Sequence, residues 1–140
     1  MDYLIKITSW DVDKKQLSDI RRRVFIEEQK VPEELEWDEY DKDAIHIIVR
    51  DTHNQPIAAA RMKTDGHIGR MAVLKACRNT GIGSAMLEAL LLKAKETGTK
   101  SVYLHAQVSA IPFYKKHGFN VCSDLFMDAG IEHKTMRLVL

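Results

Sequence analysis

Arg78-Asn79-Thr80-Gly81-Ile82-Gly83-Ser84 is the stretch whose reading decides the fold. It follows an apolar run through Met71-Ala72-Val73 and opens the clearest helix in the chain, residues 81–97. There Ile82, Met86, Leu87, Leu90, Leu91 and Ala94 recur at helical spacing, and Gly98 supplies the stop. Two glycines one residue apart let backbone amides approach a ligand closely. The first helical turn has N–H groups with no acceptor inside the helix, and the dipole adds partial positive charge. The loop therefore suits a phosphate or pyrophosphate, with a guanidinium from Arg78 and hydroxyls from Thr80 and Ser84. The same glycines would also serve a plain helix start.

Working outward, residues 3–7 place Tyr3, Ile5 and Ile7 on one face of a strand. Residues 11–28 read as a helix, capped by Asp11 or Asp13, with Leu17, Ile20, Val24 and Phe25 as its stripe and Pro32 beyond its end. Arg21, Arg22 and Arg23 fall mostly off that stripe and read as a solvated face, a place near cofactor phosphates being the alternative. Ile45-His46-Ile47-Ile48-Val49 is nearly continuous apolar sequence, as in a central strand buried on both faces. Residues 51–56 and Asp65-Gly66 carry turn chemistry on either side of a strand at 57–63. Strands are expected again at 101–106, 119–122 and 133–140. A short helix capped by Ser109, with Pro112 in its first turn, ends at Gly118. The order β-α-(α)-β-β-β-α-β-α-β-β predicts an α/β domain with a mixed sheet.

Composition narrows the class. The chain has 140 residues, enough for one domain spanning 1–140, with 45% hydrophobic and 29% charged residues. Net charge is +1, which argues against nucleic-acid binding by bulk charge. No apolar run reaches the length of a membrane span, no signal pattern opens the chain, and the two cysteines, Cys77 and Cys122, make no disulfide framework. The expectation is a cytoplasmic protein with no membrane and no nucleic-acid partner. Metal-ligand spacings such as His-Glu-x-x-His and Cys-x-x-Cys do not occur, so no metal is expected. Near neutrality hides a skew: Glu27, Glu28, Glu33, Glu34, Glu36, Asp38, Glu39, Asp41 and Asp43 crowd into one segment. That segment reads as a solvated loop or short helix, or as a local field favouring a cationic amine.

The loop itself is no Walker A sequence, because it lacks the lysine. It is no dinucleotide fingerprint either, because Met86 takes the third small position. Arg-x-x-Gly-x-Gly remains, the pattern of acyl-CoA pyrophosphate loops. A second segment lies about 30 residues on, Pro112-Phe113-Tyr114-Lys115-Lys116-His117-Gly118-Phe119. Together the two resemble motifs A and B of the GNAT superfamily of N-acetyltransferases. Val24-Phe25-Ile26-Glu27-Glu28-Gln29-Lys30-Val31-Pro32 and Asp128-Ala129-Gly130-Ile131-Glu132-His133 resemble stretches of its small bacterial subgroup typified by YjcF, with Glu132 replacing a proline.

The resemblance implies a GNAT-like α/β (α+β) fold: a mixed, mostly antiparallel six- to seven-stranded sheet, about four helices, and a central V-shaped splay. It implies acetyl-CoA as acyl donor and direct attack by a small-molecule or protein amine in a ternary complex, with a homodimer as one arrangement. Backbone groups of Met71, Ala72 and Val73 would hydrogen-bond the pantetheine arm. Arg78, Asn79, Thr80, Gly81, Ile82, Gly83 and Ser84 would cradle the pyrophosphate, and Phe113 would also line the cofactor. Tyr114 would act as general acid, with Glu28 or His105 as the base. Alternatives are a non-catalytic acyl-CoA-binding regulatory module and a transferase using another acyl-CoA.

Overall fold

A computed structural model describes residues 1–140. Four antiparallel strands form the first sheet in the order β1 (Tyr3–Thr8), β2 (Ile45–Asp51), β3 (Pro56–Met62), β4 (Ile68–Val73). In the second sheet β5 (Ser101–Gln107) pairs with the last strand, β8 (Ile131–Val139), which also holds the short β6 (Asn120–Val121) and β7 (Phe126–Asp128). Helix α1 (Trp10–Arg21) runs on through a π-helical turn, Arg22–Glu28; α2 is the single turn Glu33–Glu36; α3 spans Ile82–Glu96 and α4 Ile111–Lys116. No helix is long and apolar enough to cross a membrane.

The first sheet is buried on both faces, as its near-continuous apolar run predicts. Ile47, Val49, Ala58 and Ala60 point to the core made with α3 and the second sheet. Ile48, Ala59 and Ala72 point to the other side, against Trp10, Leu17, Ile20 and Val24 of the first helix. Strand alternation alone accounts for this division. Small alanines along β3 let helices approach from both sides.

The two sheets touch at one place. Tyr103 N–H donates to Gly66 O at 3.0 Å, and His67 and Tyr103 form a parallel bridge. Gly66 has φ +89°, and a Cβ there would meet Ser101 O at 2.7 Å, so the junction requires glycine. Beyond the junction β4 and β5 share no ladder and part. A bulge in β4 helps part them: Ala59 pairs with Ala72 and Arg61 with Gly69, so Arg70 and Met71 together face Ala60. Arg70 takes φ +50°, an uncommon conformation for a residue with a Cβ. The expected mixed fold, splay and four helices are thus present, with eight strands rather than six or seven.

Several local expectations need correction. Ser9, not Asp11 or Asp13, caps α1: its Oγ accepts from Val12 N–H at 3.3 Å. Asp13 instead takes Thr8 and Arg50. Ser109 does not cap α4, which starts from Ala110 with no side-chain cap. Phe126–Asp128 is an added strand, and the last strand starts at Ile131 rather than residue 133.

The largest correction is Arg21. It lies not on a solvated face but 1% exposed, between the rings of Trp10 and Trp37. It donates to Glu36 and Asp41, each at 2.7 Å. Arg61 joins Asp38 and Asp41, and Arg70 closes on Glu36 and Asp38. Three of the crowded acids are therefore matched by three arginines from α1, β3 and β4. Glu28 and Glu33 also pair, with Arg78 and Arg22. The acid-rich segment is in good part an ion-paired wall rather than a freely solvated loop.

Candidate functional site

The parted strands leave a cavity of about 380 Å³ between the sheets. Met71 and Arg70 of β4 line it, as do Leu104 and His105 of β5, Tyr114 of α4 and His133 of β8. Next to it, the start of α3 presents free backbone donors. Gly81 takes φ +84° at the N-cap with no side-chain cap, and Ala85 N–H is the donor that reaches Gly81 O. The N–H groups of Ile82, Gly83 and Ser84 therefore have no acceptor in their own helix. Asn79, at φ +62°, shapes the approach, and Thr80 Oγ1 donates to Cys77 O at 2.6 Å. The Ile82 side chain is core, so only its backbone faces the loop.

Helix α4 docks on this loop. A Cβ on Gly83 would lie 3.7 Å from Phe113 Cζ, and His117 Nε2 lies 3.2 Å from Ser84 Oγ. The two motifs read separately in the sequence are thus in contact. Tyr114, next along α4, aims its hydroxyl at Met71 Sδ, 3.7 Å away. Burial pushes the Tyr114 phenol above the ordinary tyrosine range, so it keeps its proton at neutral pH.

The edge of β4 bears on the splay as well. Leu74 N–H donates to Ile57 O on β3. Because successive residues of a strand turn their backbone groups to opposite sides, Val73 N–H and C=O face away from β3. Val73 O there accepts from Arg78 Nε at 2.9 Å. The Ala72 side chain is buried against the first helix.

Two residues assigned to different halves of the site bind each other. Arg78 grips Glu28 with both Nη atoms, each contact 2.6 Å. Hydrogen bonds from Arg78 hold the Glu28 carboxyl below its usual range. In this arrangement Glu28 is a clasp between the first helix and the phosphate loop.

His105 lies on the other wall. Its Nδ1 is 2.9 Å from Thr135 Oγ1, and it meets His67 and Phe126 edge-on, centroids 4.7 and 5.4 Å apart. Desolvation lowers its pKa, and lowers that of His67 to about 4. Both rings are therefore neutral at pH 7. His133 Nδ1 is 2.8 Å from Ile131 O. No group of His, Cys, Asp and Glu has an arrangement that would hold a metal.

Sequence reasoning missed His67, Arg70, Gln107 and Asp128, which also line the cavity. Asp128 lay in a quoted segment without a role. Arg70 sits one residue before the expected strand, and only the bulge turns it inward.

A parted sheet beside an amide-rich helix start is the architecture of an acyltransferase class that draws on acyl-CoA. The chain belongs to the GNAT acetyltransferase family, whose domain matches residues 11–140. It is 40% identical over 131 residues to YjcF of Bacillus subtilis, an uncharacterised N-acetyltransferase, covering 89% of this chain and 93% of that one. Among solved structures, Escherichia coli ElaA is 25% identical with TM-score 0.87, covering 97% of this chain and 99% of its own. An acyl-CoA N-acyltransferase from Pseudomonas aeruginosa is 28% identical with TM-score 0.84, covering 97% of each.

Proposed function

We propose that the protein moves an acetyl group from acetyl-CoA to an amine by direct attack in a ternary complex. The observation that carries this reading is the Tyr114 hydroxyl held at Met71 in the splay, beside the free amides of α3. The thioester, when bound, supplies the acyl group. The amine nitrogen bonds to the carbonyl carbon and the carbon–sulfur bond breaks. His105, neutral and on the cavity wall, takes the proton the amine sheds, directly or through water. Val73 N–H, turned toward the splay, donates to the carbonyl oxygen as it gains charge. Tyr114 gives its proton to the leaving thiolate. Glu28 is the weaker base, because Arg78 engages both its oxygens.

The test is a thermal-shift titration with acetyl-CoA and longer acyl-CoAs, followed by thiol release with a panel of amines. Stabilisation that is strongest with acetyl-CoA, plus amine-dependent thiol release, is expected. No shift with any CoA ester would overturn the reading.

The clasp adds an expectation. Pyrophosphate and Glu28 would compete for Arg78, so Glu28→Gln should tighten CoA binding severalfold and weaken its salt dependence less than Arg78→Gln does. Titration calorimetry measures both. A loss of CoA affinity in Glu28→Gln would remove the competition.

A further inference from the structure

Resting on that reading, we infer that the acceptor is an amine that also carries a carboxylate, which Arg70 binds in the cavity. The buried ionic cluster is unevenly shared. Arg21 and Arg61 take the direct, short contacts to Glu36, Asp38 and Asp41. Arg70 is left with its Nη2 on Leu35 O, Glu36 O and Asp38 Oδ2, the last at 3.3 Å. Its Nε lies 3.2 Å from Glu36 Oε2 but is too poorly aligned to hydrogen-bond, and like Arg61 Nε it is shut off from solvent without a partner. Its Nη1 makes no hydrogen bond within the chain. Burial, with Arg61 and Arg21 close by, lowers the Arg70 pKa.

Position agrees with this. In a regular strand Arg70 and Met71 would point to opposite faces. The bulge and the φ of +50° at Arg70 bring both side chains to the same cavity. Strain of this kind persists where surrounding structure enforces it, often beside a site. Met71 touches the Tyr114 hydroxyl, so a guanidinium with donors still free stands one residue from the side chain at the reacting end. Across the splay the second sheet offers Asp128 and the neutral His105 imidazole, which suit an amine rather than an anion. A cavity of about 380 Å³ admits a molecule of amino-acid size.

The experiment compares matched acceptors by thiol release: L-phenylalanine, its amide and phenethylamine; L-leucine, its amide and isoamylamine; and ω-amino acids against their amides. At least one carboxylate-bearing member should exceed its amide by about tenfold or more in kcat/KM, the scale of one charge-assisted hydrogen bond. Arg70→Gln should bring that ratio toward one and Arg70→Lys should restore part of it, with the acetyl-CoA thermal shift retained. Amides or simple amines equal to the acids in the unaltered protein would overturn this inference alone, without needing any variant. So would an Arg70→Gln that slows both members of a pair equally. An acetyl-CoA shift without turnover of any amine would overturn the transferase reading and this inference with it.

Discussion

Replacing Tyr114 with phenylalanine should lower kcat by roughly 100- to 10,000-fold, the usual contribution of a positioned general acid. Binding should be spared. The substitution removes one oxygen whose partner is a thioether sulfur at 3.7 Å, a weak acceptor. The ring keeps its edge contacts with Phe113 and Phe119, centroids 5.0 and 6.0 Å away. The acetyl-CoA thermal shift of the variant should therefore match that of the parent. A pH profile gives a second readout. Burial raises the phenol pKa, so its proton is retained through the neutral range and lost only above the usual value of 10.0. The alkaline fall in kcat of the parent should lie above pH 10 and be missing from the variant. A kcat loss below about threefold, far short of general-acid catalysis, would take the role from Tyr114.

How this site was legible follows from what is local. Glycines at 81 and 83, opening a strongly striped helix, state their own geometry, and Gly81 does take the left-handed conformation. Asp65-Gly66 marks a turn for the same reason, although its further role in joining the sheets depends on Ser101, far along the chain. The Glu28–Arg78 clasp spans 50 positions and has no local signature. The added strand Phe126–Asp128 has three residues, too few for a period of two to register. The Ser9 cap was readable but lay beside two aspartates of equal capping strength, and tertiary contacts to Thr8 and Arg50 claimed Asp13. Arg21 was obscured by its neighbours. Three consecutive arginines look alike, yet helical geometry sends them in different directions: Arg21 reaches the buried Glu36 and Asp41, while Arg22 pairs with Glu33 at the surface.

That burial makes Arg21 a strong determinant of stability. Arg21→Met should lower stability by about 3–5 kcal/mol, the cost of removing one partner from a buried ion pair. For a chain of this size the melting temperature would fall by roughly 10–20 °C. The cause is not the lost attraction as such. Glu36 and Asp41, 3% exposed, would keep charges that Arg61 and Arg70 already share with Asp38. Lysine should not rescue, because one ammonium cannot reproduce separate guanidinium contacts to Glu36 Oε2, Asp41 Oδ1 and Glu36 O. Removing the stranded charges should: Arg21→Met with Glu36→Gln and Asp41→Asn is expected to recover part of the loss. Differential scanning fluorimetry measures all three variants. Because the cluster lies on the proposed acceptor side while α3 and its loop pack against the other core, acetyl-CoA should still stabilise Arg21→Met below its melting temperature. A fall of under about 3 °C in Arg21→Met would mean that water or rearranged acids replace the guanidinium, and the wall would then be a pliable surface rather than a fixed one.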